Sequence, residues 1–204
     1  MRWLTIDGSV AALVVGALVV GGLGWRGAVL LLAFFISGSL LTQLTSRKTS
    51  GWVNPAPVAR GYRQVLANGG VAALAAAFGS WSVAAGALSA AAADTWATEI
   101  GAFSPSPPRL ITTGAPVARG VSGGITVLGT IGGVMGALFI ALVDRQFAPP
   151  HVAPRALLIA SVGIAGMLVD SLAGATVQAR GWLDNDAVNV VATVTGAALA
   201  FAFL

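Results

Sequence analysis

Five carboxylates carry most of the chemistry available to this sequence. Asp94 and Glu99 lie five positions apart in residues 93–101, Ala-Asp-Thr-Trp-Ala-Thr-Glu-Ile-Gly. They close an apolar stretch, residues 71–93, whose only polar groups are the hydroxyls of Ser80, Ser82 and Ser89. A carboxylate placed at the centre of a membrane helix costs about 2.5–3.5 kcal/mol, and less toward its end. Such residues are functional candidates by default. On a regular helix Asp94 and Glu99 point about 140° apart, so sharing one cation requires the helix to fray near residues 98–101. Mg²⁺ takes a few carboxylates together with phosphate oxygens and water, and this pair can supply the carboxylates. Asp170 lies in a second apolar run, flanked by Gly163, Gly166 and Gly174, with no Lys or Arg in the core of that run to pair with it. It sits roughly 12 Å inside the helix end and suits an ion or substrate contact. Asp184, Asn185 and Asp186 open a third apolar run, and Asn185, Asn189 and Thr193 recur at four-residue spacing. Asp184 reads equally as a helix cap, whereas Asp186 and Asn189 read as a polar face turned into the bundle.

Anion-binding groups lie between these acids. Ser122-Gly123-Gly124 precedes an apolar run, and a helix amino terminus with glycines lets backbone N–H groups approach phosphate. The Lys-Ser or Lys-Thr of a Walker motif is missing. Arg109, Thr112 and Thr113 offer further donors, as do Arg47, Lys48 and Arg63, while Gln64 and Asn68 share a helix face at i, i+4. Carboxylates for Mg²⁺ beside donors for phosphate describe a Mg-nucleotide site.

The elements that must position these groups are membrane helices. Of 204 residues, 56% are hydrophobic and 9% charged, with 27 glycines, whereas soluble domains carry about 25% charged residues. The apolar residues form runs of spanning length. The expected fold is an all-α polytopic membrane protein, a single domain over residues 1–204. Seven spans are expected near residues 10–23, 28–44, 64–78, 83–98, 123–143 and 155–178 and from 184 onward. The amino-terminal run lacks a cleavage site and reads as a retained helix. Asn68-Gly69-Gly70 should loosen the third span. Prolines at 55 and 57 forbid helix there, and Trp81 should anchor at the interface. Gly129, Gly132, Gly133 and Gly136 allow close helix approach. The net charge of +4 is scattered without a basic run, which excludes nucleic-acid binding as a useful reading. No cysteine is present, so thiol chemistry is excluded.

Orientation follows from Lys and Arg. With the amino terminus inside, the inner segments hold Arg2, Arg47, Lys48, Arg60, Arg63, Arg109, Arg119 and Arg180 against Arg26, Arg145 and Arg155 outside. Eight against three puts every chemically interesting stretch on the cytoplasmic face.

These motifs, taken in order, resemble a known family. They are residues 61–70 (GYRQVLANGG), 93–101 (ADTWATEIG), 108–114 (PRLITTG), 122–124 (SGG), 170–178 (DSLAGATVQ) and 183–189 (LDNDAVN). The chain from about residue 40 onward is similar to the integral-membrane family of plant phytyl-phosphate kinase and transmembrane protein 19, also called domain of unknown function 92. It departs from that pattern at Val121, where a small hydroxyl residue is expected, so position 121 offers no side-chain donor. The resemblance implies a prenyl-phosphate kinase of an inner, cytoplasmic membrane, acting in tocopherol- or quinone-type lipid metabolism. It would convert a phytyl- or geranylgeranyl-type monophosphate to the diphosphate with CTP or another nucleoside triphosphate. Joined to the residue reading, it assigns Asp94, Glu99, Asp170 and Asp186 to Mg²⁺ and catalytic alignment and Asn68 and Asn189 to orientation. Arg63, Arg109 and Ser122 to Gly124 then meet phosphates. The expected partners are the nucleotide, the prenyl monophosphate and the bilayer, with a homodimer compatible. The alternatives are a cytidylyltransferase that forms a CDP-lipid and a small membrane transporter or flippase.

Overall fold

A computed structural model describes residues 3–51, 59–152 and 155–203. The proline-bearing stretch at 54–57 lies outside the described residues. Six helices account for most of the chain: α1 (Ile6–Thr49), α2 (Tyr62–Ala77), α3 (Trp81–Gly101), α4 (Val127–Phe147), α5 (Ala156–Ala173) and α6 (Asn185–Phe203). Two strands of two residues each, β1 (Arg109–Leu110) and β2 (Gly124–Ile125), pair antiparallel in the loop before α4.

Helix α1 is broken at Gly24, whose φ of 66° is open to glycine at little cost. Trp3 and Phe35 nevertheless meet edge to face, with ring centroids 5.8 Å apart. A straight helix would separate residues 32 positions apart by about 48 Å, so the chain doubles back at Gly24. Counting the two arms separately gives seven helical segments. Among the described residues, four helices are long and apolar enough to cross a membrane: α1, α4, α5 with its extension, and α6. With only 16 residues, α2 falls short of that length. Helix α3 is alanine-rich and packs against every other helix. Its neighbours are protein rather than lipid, so it needs small side chains more than strongly apolar ones.

Several boundaries differ from the sequence expectation for identifiable reasons. Helix α2 runs unbroken through Asn68-Gly69-Gly70, and a Cβ at Gly69 would lie 3.1 Å from Val15 of α1. Those small residues serve close packing there, not a break. Helix α1 continues through the polar stretch to Thr49 because Thr45 and Thr49 return their hydroxyls to its own carbonyls. Trp81 is no interfacial anchor: it is buried, and its indole N–H donates to Asp144 at 2.6 Å. Helix α4 begins at Val127 with Thr126 as its cap, accepting from the Gly129 N–H at 2.9 Å. The expected helix start at Gly123 is instead a turn leading into β2.

Glycines set the spacing around α3. A Cβ at Gly129 would come within 2.8 Å of the Ala97 carbonyl, and one at Gly136 within 2.7 Å of the Ala92 carbonyl. Gly163 and Gly166 of α5 likewise rest on Ser89 and Ala90. With α4 and α5 drawn so close, their site-bearing ends converge on the carboxyl end of α3.

Candidate active site

A cavity of about 620 Å³ opens where those helix ends meet. All six helices reach it: Thr42 of α1, Arg60 before α2, Gln64 and Asn68 of α2, and Asp94, Thr95, Ala97, Thr98, Glu99 and Gly101 of α3 line it. So do Arg119 to Ile125 of the loop and β2, Thr126 to Thr130 at the start of α4, Asp170 with its neighbours, and residues 184–186 and Asn189.

Asp94 and Asp170 bring their carboxyl groups within hydrogen-bonding reach across the α3–α5 contact. Neither forms an ion pair within 4 Å among the described residues. Asp170 Oδ2 is buried without a hydrogen-bond partner. Two carboxylates this close call for a shared proton or a cation between them, and an orphaned buried oxygen marks where a further ligand would bond. Among the described residues no three Asp, Glu, His or Cys side chains converge. That donor set fits Mg²⁺, which is held by one or two carboxylates and completed by phosphate and water oxygens. Asp94 and Asp170 would be the residues to hold it.

Glu99 points elsewhere. It is 4% exposed and accepts from Thr42 Oγ1 at 2.6 Å and from Thr45 Oγ1, both on α1. The regular end of α3 keeps it on a different azimuth from Asp94, as 100° per residue requires, and the fraying needed to unite them is not seen. Its opposite charge is Arg60.

Arg60 is a cavity cation that the sequence motifs do not mark. It is only 6% exposed, lies over Phe34 and Phe35 at 5.7 and 5.8 Å, and faces the cavity. Its main chain fixes it there: Arg60 N–H donates to the Trp3 carbonyl at 3.0 Å and its own carbonyl accepts from Thr5 N–H at 3.2 Å. A guanidinium stays charged at neutral pH, and among the described residues this one has no ion pair within 4 Å. Arg119, also overlooked, lines the cavity while donating to the carbonyls of Ser104 (2.7 Å) and Ser106 (3.4 Å).

Other expected phosphate ligands are placed differently. Arg63 is bonded to Asp184 and lies 3.6 Å from Asp186, so it clasps α2 to the start of α6. Asp184 also accepts the Ala187 N–H at 2.9 Å as the α6 cap. That N–H, then the Arg63 contact, holds its carboxyl below the ordinary value. Arg109 donates to the Gly114 carbonyl in an exposed turn with Thr112 and Thr113, outside the cavity lining. Arg47 and Lys48 are also exposed and outside it, Lys48 lying over the Phe103 ring at 4.3 Å. Trp96 stacks on Phe139 with centroids 5.4 Å apart, away from the lining. Ser122, Gly123 and Gly124 do line it, but the Gly124 N–H already donates to the Val121 carbonyl at 3.1 Å. Gly123 (φ 76°) packs its backbone against Gly174 and Ala175, where the end of α5 widens into a π-helical turn, Gly174–Gln178. Such turns recur at functional sites. Deeper in, Asn68 donates to the Gln64 carbonyl at 3.0 Å, Asn189 is buried, and Thr193 ties α6 to the Ala67 carbonyl at 3.1 Å.

The comparisons with known proteins agree on a membrane protein. The chain matches the family described as "Integral membrane protein DUF92" over residues 1–197. It is 35% identical over 202 residues to an uncharacterized membrane protein of Methanocaldococcus jannaschii, covering 96% of this chain and 83% of that one. It is 33% identical over 212 residues to an uncharacterized membrane protein of Synechocystis, covering 98% and 82%. It is 28% identical over 219 residues to Protein VTE6, chloroplastic, of Arabidopsis thaliana, covering 97% of this chain and 64% of that protein. No solved structure matches significantly. The chain is thus a multi-pass membrane protein and belongs to the DUF92 integral membrane family, the one its motifs resemble.

Proposed function

We propose that this protein is a prenyl-phosphate kinase. It transfers the γ-phosphoryl group of a nucleoside triphosphate, CTP by preference, to a phytyl- or geranylgeranyl-type monophosphate. The observation that carries the reading is the Asp94–Asp170 pair, lacking a basic partner among the described residues, in a cavity that also presents Arg60 and Arg119. Distant homology to a chloroplast protein and the resemblance to phytyl-phosphate kinase supply the substrate class. In this reading the bundle crosses a cytoplasmic membrane seven times, its amino terminus and the cavity both facing the cytoplasm.

Phosphoryl transfer needs chiefly alignment and charge neutralisation. A monophosphate oxygen of the lipid forms the new P–O bond to the γ-phosphorus, the β–γ bridging P–O bond breaks, and the nucleoside diphosphate leaves with that oxygen. The attacking phosphate is already anionic near neutral pH, so no strong general base is required. Mg²⁺ bound at the acid pair would neutralise phosphate oxygens. Arg60, held over the Phe34 and Phe35 rings, donates to a phosphate. Arg119 meets charge nearer the loop. Asn68 and Asn189 orient the ligands from the floor, and Asp186, partly neutralised by Arg63, borders the mouth.

The test is turnover by detergent-purified protein given geranylgeranyl or phytyl monophosphate, Mg²⁺ and each nucleotide in turn. Prenyl diphosphate with nucleoside diphosphate is expected. Asp94→Asn should lower the rate by about 10²–10³-fold or more, the scale of losing one pre-set charge-stabilising group, while the protein remains folded. A CDP-lipid with pyrophosphate would instead make it a cytidylyltransferase. No nucleotide consumption, with cargo moving in liposomes, would make it a transporter.

A further inference from the structure

The cavity has an apolar side door as well as its polar mouth. Thr130 of α4 and Leu168 of α5 both line it, and both are exposed, Leu168 by 40%. A side chain that borders the cavity and is also turned outward on its own helix marks a breach in the wall between helices. Each lies one position beyond a residue packed inward: Gly129 on the Ala97 carbonyl and Met167 buried against Gly133. One position turns the side chain by about 100°, which carries both outward along the α4–α5 seam. The contact of Met167 on Gly133 shuts that seam deeper in the bundle, so the breach is confined to the site end. Beyond it the exposed side chains of both helices are hydrocarbon, with Ile131 51% and Leu172 45% exposed.

We infer that the α4–α5 seam is a lateral portal through which the hydrocarbon chain of a phosphorylated lipid leaves the cavity for the bilayer, its phosphate remaining at the acid pair and Arg60. This rests on the kinase reading for the lipid's identity and adds where its chain lies. Each CH₂ of an apolar chain kept from water is favourable, and a path opening sideways keeps all but the first carbons in an apolar medium.

The sequence contains no cysteine, so a single introduced thiol can be labelled cleanly. Leu168→Cys would be alkylated with a bulky maleimide, beside Val190→Cys, which is exposed on α6 next to Asn189 but does not line the cavity. Turnover is compared before and after labelling with geranylgeranyl monophosphate and with a five-carbon prenyl monophosphate. Labelled Leu168→Cys should lose at least tenfold in kcat/KM for the long substrate and less than twofold for the short one. Labelled Val190→Cys should lose neither. Equal use of the long substrate before and after labelling Leu168→Cys overturns the portal. A second readout needs no turnover: geranylgeranyl monophosphate carrying a diazirine at its tail is photolysed on the unmodified protein and the adducts are mapped. Adducts on residues 126–131 and 168–172 support the portal even if no nucleotide is consumed, in which case the kinase reading alone falls. Adducts on α2 or α6, with turnover intact, overturn the portal and leave the kinase reading standing.

Discussion

Replacing Arg60 by glutamine removes the one buried guanidinium that lines the cavity among the described residues, while preserving most of its side-chain volume. The backbone pairing of residue 60 with Trp3 and Thr5 does not involve the side chain, so the closure between the start of α1 and the start of α2 should persist. Glu99 loses its neighbouring positive charge but keeps both threonine hydroxyls, which limits the damage to folding. The functional loss follows from geometry. The guanidinium rests over Phe34 and Phe35, and a Cβ at Gly38 would lie 2.8 Å from its Nη2, so it is held in place before a ligand arrives. A hydrogen bond to a charged group contributes about 1.5–3 kcal/mol, and about 1.36 kcal/mol is one factor of ten in rate. Arg60→Gln should therefore reduce kcat/KM for the lipid monophosphate by roughly 10- to 150-fold. Arg60→Lys should fall between, since it restores the charge without the planar fork. Steady-state kinetics on purified protein, with a thermal melt of each variant, tests this. A kcat/KM within twofold of the parent in a normally melting Arg60→Gln protein would refute the assignment.

Three further outcomes concern what holds the site in shape. Thr45→Val should lower stability by about 1–3 kcal/mol, because it strips a donor from the buried Glu99 carboxylate. A melt in detergent checks it, and Thr45→Ser should recover most of the loss. Gly123→Ala should lower the melting temperature too, combining a left-handed backbone, costing about 1–2 kcal/mol, with a methyl driven onto Ala175. If that variant melts normally, the close contact of loop and π-helical turn is not structural. For Asp184 the folded pKa is depressed, so its stabilisation is fully present above the unfolded carboxylate value of about 3.9. That stabilisation is lost as pH falls through the folded value. The melting difference between the parent and Asp184→Asn should be constant from pH 7 to about 5 and shrink below about 4; a difference that grows on acidification would reverse the sign of the argument.

The sequence disclosed the acids better than the cations. Asp94 and Asp170 stood out because a carboxylate in an apolar run has few bland explanations, and the glycines beside Asp170 foretold close approach. Arg60 does not stand out because it follows a proline-bearing stretch in a segment that the Lys and Arg count expects on the cytoplasmic side, where an arginine needs no further explanation. Its burial depends on α1 doubling back to pair Thr5 with residue 60, a contact across 55 positions that no local pattern announces. The same holds for Glu99, whose partners on α1 lie more than fifty residues away. Arg63 and Arg109 had the right chemistry, but nearer acceptors claimed them. Residues 122–124 resemble a helix start in sequence because apolar, glycine-rich sequence begins there. The helix waits for Thr126, whose hydroxyl can cap it, and the preceding residues pair with β1.

The alanine packing of α3 has a consequence for the membrane as a barrier. From residue 84 to residue 93 every side chain is buried, none larger than Leu88, and the cavity stops at Asp94. Carboxylates set into a membrane helix are the usual stepping stones of proton leakage, and a cell membrane loses its electrochemical gradient through any wet file of them. Here a dry plug nearly three helical turns deep lies beneath the pair, with Ser89 as its one hydroxyl, donated to the Ile159 carbonyl at 2.9 Å. Acidic groups can thus sit within a membrane bundle without a file of carboxylates continuing along α3 beneath them.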